Sequence, residues 1–272
     1  MIRTETRGAF FFATLDSPAS RNALTDAMVV DLLEAVDRAE LQPSTRALVI
    51  RGAGGHFCAG GDFSRFRSLM AMPAPATGAD PIATFNRAFG TLLERLFSAK
   101  IATVAVVEGA AMGGGLGLAA CCDFVLAASN AQFGMPEVSL GLPPAQIAPF
   151  VAARLGEGPA LRLMMTSKRI TAEEALACGL ADDVQPADSL PVRLDALMTQ
   201  LGRAEPAALR AVKAILRRRR TAPLPETLDF AATRFADALR SGTATEGLAA
   251  LSGKRAASWV VGPLATPSGA PT

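Results

Sequence analysis

The sequence predicts an α/β protein, an α/β core followed by an α-helical C-terminal part. Apolar, β-branched runs at residues 47–51 and 101–107 each end in a glycine-rich turn, as buried strands do. Segments with helical spacing of apolar residues alternate with such runs. From residue 146 onward the pattern is helical throughout, so strands come first and helices last. No internal repeat is visible.

Taken in order, residues 8–15 read as a strand and 18–24 as a loop. Residues 25–40 form a helix with Thr25 as N-cap and Met28, Leu32 and Val36 on one face. After the strand at 47–51 come a short apolar-basic segment, 63–72, and a Pro/Ala/Gly-rich stretch expected to be a mobile loop. An amphipathic helix at 82–97 presents Phe85, Phe89, Leu92, Leu93 and Leu96. Residues 123–127 and 131–133 read as the last strands. Helices follow at 146–155, 159–165, from Thr171 (a capping box with Glu174), 188–202, 206–220, 225–241 and 245–258. The chain therefore divides into a core at 1–200, a helical region at 201–260 and a Pro/Gly/Ser/Thr-rich tail at 261–272, expected to be disordered.

With 272 residues, half of them hydrophobic, there is ample material for a sizeable core. A net charge of +2 is too small to argue for nucleic acid as a partner. The basic run Arg217 to Arg220 reads as a solvated helix end that suits the dipole. A single histidine, His56, argues against a His-based metal site, and no metal is expected. The four cysteines form neither a metal-ligand pattern nor a disulfide framework, which fits reduced thiols in a cytoplasmic protein. Phe10 to Phe12 is too short an apolar run for a signal peptide, and no stretch resembles a membrane span of about 20 residues.

The most informative stretch is 104–142. A strand stops at Glu108-Gly109, Gly113-Gly114-Gly115 follow, and residues 116–122 read as a helix. The first N–H groups of a helix have no intrahelical partner, and the dipole there favours negative charge. Such a loop can hold a phosphate or an oxyanion, or its glycines can serve close packing alone. A phosphate loop is poorly matched: no Lys-Ser/Thr follows, and Leu118 stands where a dinucleotide fingerprint has Gly. A second glycine loop, His56-Phe57-Cys58-Ala59-Gly60-Gly61-Asp62, follows the strand at 47–51. Two such loops can each give one N–H to a shared oxygen.

This pair of loops resembles the crotonase (enoyl-CoA hydratase/isomerase) superfamily, in which they hold the thioester oxygen of an acyl-CoA. The resemblance continues in Arg21-Asn22-Ala23-Leu24 and in Ala131-Gln132-Phe133-Gly134-Met135-Pro136-Glu137, and runs in order over residues 10–259. It implies a spiral of β-β-α units with a C-terminal helical trimerisation region, assembling as a homotrimer or a dimer of trimers. It also implies that the N–H groups of Gly61 and Gly114 are the oxyanion donors. Hydratases of this family usually carry two glutamates. The first, three residues after the oxyanion glycine, is Gly117 here; the second is present as Glu137.

The usual G-x-x-P-G-x-G-G is altered to Gly141-Leu142-Pro143-Pro144-Ala145-Gln146-Ile147-Ala148. Gly117-Leu118 and residues 144–149 look like the glutaconyl-CoA hydratases. By resemblance, CoA contacts come from Arg21, Ala23, the backbone at Ala59, and Lys254 or Arg255 from a neighbouring subunit. Phe66, Leu69 and Met70 are candidates to line the acyl pocket, or to be ordinary core residues. Gln146 could position a water or a substrate carboxylate. The thioester, on CoA or on an acyl carrier protein, is substrate, and no cofactor is expected. Asp62 and Asp123 look like loop-fixing carboxylates, and Cys58 lacks a paired base that would make it a nucleophile.

Three functions remain open on the sequence. With one carboxylate the enzyme can be a hydratase of an α,β-unsaturated, glutaconyl-type thioester or a Δ3-Δ2-enoyl-CoA isomerase. The third is a non-catalytic acyl-CoA binder.

Overall fold

The computed structural model describes residues 1–73, 75 and 77–262; most of the tail expected to be disordered lies outside them. Nine strands are described: β1 (Ile2–Arg7), β2 (Phe10–Leu15), β3 (Ala47–Gly52), β4 (Ala102–Val107), β5 (Ala110–Met112), β6 (Phe124–Ala128), β7 (Gln132–Gly134), β8 (Arg169–Thr171) and β9 (Asp183–Gln185). The core helices are α1 (Asp26–Leu41), α2 (Phe63–Met70), α3 (Pro81–Phe97), α4 (Gly114–Cys121), α5 (Ala148–Leu155), α6 (Glu157–Thr166) and α7 (Ala172–Ala177). They are followed by α8 (Leu190–Arg203), α9 (Pro206–Thr221), α10 (Leu224–Arg240) and α11 (Thr243–Ser252).

A six-stranded sheet runs in the order β1-β2-β3-β4-β6-β9, and a three-stranded sheet in the order β5-β7-β8. In the large sheet only β1 and β2 are antiparallel. Its central strands are apolar on both faces because both are covered. Phe11, Ala13, Leu48, Ile50, Ala105 and Val107 join α1, α3 and α4 in the main core. The alternate residues Phe10, Phe12, Val49, Val104 and Val106 pack with Leu194, Leu197 and Met198 of α8. Strands β4 and β5 with α4, then β6 and β7 with the helices after them, are successive turns of a β-β-α spiral. That spiral carries each glycine loop to the junction between the two sheets.

Residues 131–133 are not the last strand. Strands β8 and β9 follow, each three residues long and paired to β7 and β6; partners distant in sequence, not local pattern, make them strands. Thr171 and Glu174 form the expected capping box. Helix α11 stops at Ser252, not 258, where Gly253 is followed by Lys254 in the left-handed region (φ 51°).

Helix α9 is bolted to the core by its basic side chains. Lys213 bonds Asp123 and the carbonyl of Ile101, and Arg217 bonds the carbonyl of Ala99. Arg220 lies 4.4 Å over the Phe97 ring. Within the basic run Arg217 is half-buried and used for packing, whereas Arg218, Arg219 and Arg220 stay exposed at the helix end, as expected of a solvated face. Asp123 fixes a loop as expected, accepting the N–H and hydroxyl of Thr103 at 2.8 and 3.0 Å.

Candidate active site

Three segments are laced together to make the site. Asn22 is fully buried at φ 60°. Its Oδ1 accepts from Ser17 N, and its Nδ2 donates to the carbonyls of Ala53 and His56 at 2.9 and 2.7 Å. The Ala59 N–H donates to Arg21 O (2.9 Å), the Leu24 N–H to Gly60 O (2.8 Å) and the Asp62 N–H to Leu24 O (3.2 Å). On the other side, Cys58 N donates to Ala110 O at 2.8 Å and Met112 N to Cys58 O at 2.9 Å. His56 Nδ1 accepts the N–H of Ala110 at 3.2 Å. The single histidine is thus a loop strut.

Gly60 (φ 101°) and Gly113 (φ 49°) take conformations that side chains resist. A Cβ at Gly60 would stand 3.0 Å from Met112 O and 3.9 Å from Gly114 N, so the two loops abut. Gly114 is the first residue of α4, and Gly61 leaves the strand-like ladder with Leu24. Among the described residues, neither N–H is given to a protein acceptor.

Glu137 opens a 3-10 turn, Glu137–Leu140, held by the N–H of Leu142 on its carbonyl. The preceding strand is tied to the glycine loop, since Gly113 N donates to Gly134 O at 2.8 Å. The carboxylate consequently lies over the loop: a Cβ at Gly113 would be 2.7 Å from Glu137 Oε1. The other oxygen, Oε2, is sealed from solvent and has no hydrogen-bond partner. Burial pushes the carboxyl above its ordinary value, offset only in part by its own backbone N–H.

Aromatic side chains of α2 and α3 close the opposite side. The Phe66 ring reaches within 2.6 Å of where a Cβ of Gly61 would be, and packs edge-on to Phe85 at 6.2 Å. Phe89 does the same at Gly114, at 3.2 Å. Leu69 is buried, but Met70 is 75% exposed, so the structure corrects its assignment to this wall. Its neighbours Leu69 and Phe66 take the inward positions of the helical turn.

A family model for enoyl-CoA hydratase/isomerase matches residues 5–261. The chain belongs to this family. It is 43% identical to Pseudomonas aeruginosa AtuE, with a TM-score of 0.90 over 96% of this chain and 99% of that one. Against an enoyl-CoA hydratase/isomerase from Marinobacter aquaeolei, identity is 37% and the TM-score 0.92, with the same coverage. A 2,3-dehydroadipyl-CoA hydratase of Escherichia coli is 34% identical over 205 residues, 75% of this chain and 76% of that protein. The chain is thus an enzyme of the enoyl-CoA hydratase/isomerase family, with the fold those structures share.

Gly117 stands where the family resemblance leads one to expect a first glutamate. A Cβ there would lie 2.3 Å from Ile147 Cγ2, with Leu93 Cδ1 at 3.7 Å. The side of α4 from which a second carboxylate could project is filled by an isoleucine that is 3% exposed. Gln146, next to it, is half-buried; its Nε2 donates to Asn86 Oδ1 at 2.8 Å. Arg21, Ala23 and Ala59 form one partly exposed rim through the Ala59–Arg21 bond. Lys254 is exposed beyond α11, and its side chain makes no hydrogen bond or ion pair among the described residues.

Burial pushes the Cys58 thiol up to about 12, so it offers no thiolate. Asp62 caps α2 by accepting Ser64 N at 2.8 Å. The contributions of Asn22, Phe89 and Ile147 could not be read from the sequence. Only Asn22 carried a signal, its place in the Arg-Asn-Ala-Leu motif.

Proposed function

We propose that the protein is a hydratase of an α,β-unsaturated, glutaconyl-type acyl-CoA, with Gly61 and Gly114 as oxyanion donors and Glu137 as the sole acid and base. The observation that carries this is the carboxylate of Glu137, its Oε2 buried and without a partner, set against the glycine turn that leads into Gly114 at the start of α4. When water adds to the double bond, the β-carbon gains the oxygen and negative charge gathers on the thioester oxygen. Two N–H groups fixed on that oxygen stabilise the enolate, each worth on the order of 3 kcal/mol in the barrier. Glu137 accepts a proton from water as the C–O bond forms, and the same carboxyl returns a proton to the α-carbon. The enzyme ends unchanged, and one water is consumed. Arg21, Ala23 and Ala59 lie where a rim could grip the CoA, and Lys254 serves the same end from a neighbouring subunit of a trimer or hexamer.

The isomerase alternative draws support from Ile147, because an apolar plug at Gly117 removes a place where water could be held. The two are separated by presenting the enzyme with 2-enoyl and 3-enoyl thioesters. A hydratase bleaches the 2-enoyl absorbance and forms a β-hydroxyl product. Brisk 3-to-2 conversion with no oxygen added, across crotonyl-, branched and glutaconyl-type substrates, would overturn the hydratase assignment.

A further inference from the structure

We infer that Asn86 and Gln146 form a subsite for the second carboxylate of a dicarboxylic acyl chain; this deepens the hydratase proposal and rests on it. The first observation is steric. Gln146 Oε1 lies where a Cβ of Gly90 would stand, 1.8 Å from that point, so α3 is bare at the one place that admits the amide. The second is the lock: Gln146 Nε2 donates to Asn86 Oδ1 at 2.8 Å, one turn earlier on the same helix.

The third is position. Asn86, Phe89, Gly90 and Leu93 share one stripe of α3. In that stripe Phe89 touches Gly114, and Leu93 Cδ1 lies 3.7 Å from where a Cβ of Gly117 would stand. The amide pair therefore flanks the glycine proposed as a donor to the thioester oxygen, about one helical turn along the wall.

The free hydrogen-bonding capacity decides what binds. Whichever way the two amides are turned, their mutual bond uses one N–H and one oxygen lone pair. Three N–H donors and three acceptor lone pairs remain, and none of these atoms is among the described groups that are sealed without a partner. The remaining N–H groups suit the oxygens of a carboxylate, to which such bonds are charge-assisted. The amide oxygens suit a water equally, and the binding assay separates the two. With a carboxylate there, Glu137 is left as the only group moving protons.

Binding of two unreactive thioesters, glutaryl-CoA and butyryl-CoA, tests this by calorimetry whatever the turnover. The wild type should bind glutaryl-CoA at least about tenfold more tightly, the worth of one or two charge-assisted bonds. In Gln146→Leu and Asn86→Leu that ratio should fall to near one. Gly90→Ala, which keeps both amides but drives Gln146 out, should lower it as well.

The same ratio is then read in kcat/KM for 3-methylglutaconyl-CoA against crotonyl-CoA. No glutaryl preference in the wild type would overturn the subsite even if crotonyl-CoA is hydrated. Equal losses of kcat on both substrates in Gln146→Leu, with the binding ratio intact, would show that the amide acts on water instead. A retained glutaryl preference without any hydration would leave the subsite standing and remove the hydratase proposal.

Discussion

Alanine at Gly117 should destabilise the protein, and alanine at Ile147 should relieve it. A Cβ at 117 would lie 2.3 Å from Ile147 Cγ2 and 3.0 Å from its Cβ. Relaxed carbon contacts are at about 3.5–4.0 Å, so the closer of the two is too short by about 1.2–1.7 Å. Ile147 is buried and stiff at χ1 and has nowhere to swing. Overpacking of this kind costs about 1–3 kcal/mol. Ile147→Ala alone leaves a cavity and costs about 2–5 kcal/mol. In the double variant the new methyl group enters that cavity, so the combined loss should fall short of the sum by about 1 kcal/mol or more. Urea midpoints of the four proteins at one fixed concentration measure this, since an assembling protein's stability depends on concentration. Additivity within about 0.5 kcal/mol would show that 117 and 147 do not meet. For the same reason Gly117→Glu alone should not supply a second catalytic carboxylate.

Gly114→Pro deletes one proposed donor at a helix position that tolerates proline, and turnover should fall about 10²-fold with assembly intact; more than a tenth of the activity remaining would reject the donor. Because burial raises Glu137 above its ordinary value, kcat/KM should fall on the acid side with a midpoint above 4.5, and a midpoint below that would contradict its role as base. The same raised value means the folded state loses stability as pH rises through it, so Glu137→Gln should be no less stable than the wild type at pH 7; a clear loss in urea midpoint would refute the unpartnered burial. Exposed Leu224, Leu228, Phe235, Leu239, Leu248 and Leu251 on α10 and α11 call for a partner surface. Light scattering at micromolar concentration should report a trimer or hexamer, and a monomer would refute this.

Much of the fold was legible because the central strands are apolar on both faces, and a run such as ATVAVV announces itself. Strand β1, IRTETR, did not: it is an edge strand with Arg3 and Glu5 exposed, and only its pairing with β2 defines it. The three-residue strands β5, β8 and β9 are set by partners far along the chain. At the site, the two glycine loops and Glu137, which the structure brings together, were picked out by the motifs of the family resemblance, and their proposed roles rest on that match. The match of Gly117 to Ile147, and of Gly90 to Gln146, is a relation between helices that no local pattern encodes. Met70 was misplaced for a related reason, since the inward side of a short helix such as α2 is decided by what packs on it.

The most direct measurement is the turnover of Glu137→Gln in deuterium oxide beside the wild type, with 3-methylglutaconyl-CoA as substrate. The wild type should give a product with a new β-hydroxyl and solvent deuterium at the α-carbon. Glu137→Gln keeps the shape but cannot accept a proton, and its kcat should fall by about 10²-fold or more with thioester binding little changed. Hydration by Glu137→Gln at more than a tenth of the wild-type rate would contradict a single-carboxylate mechanism.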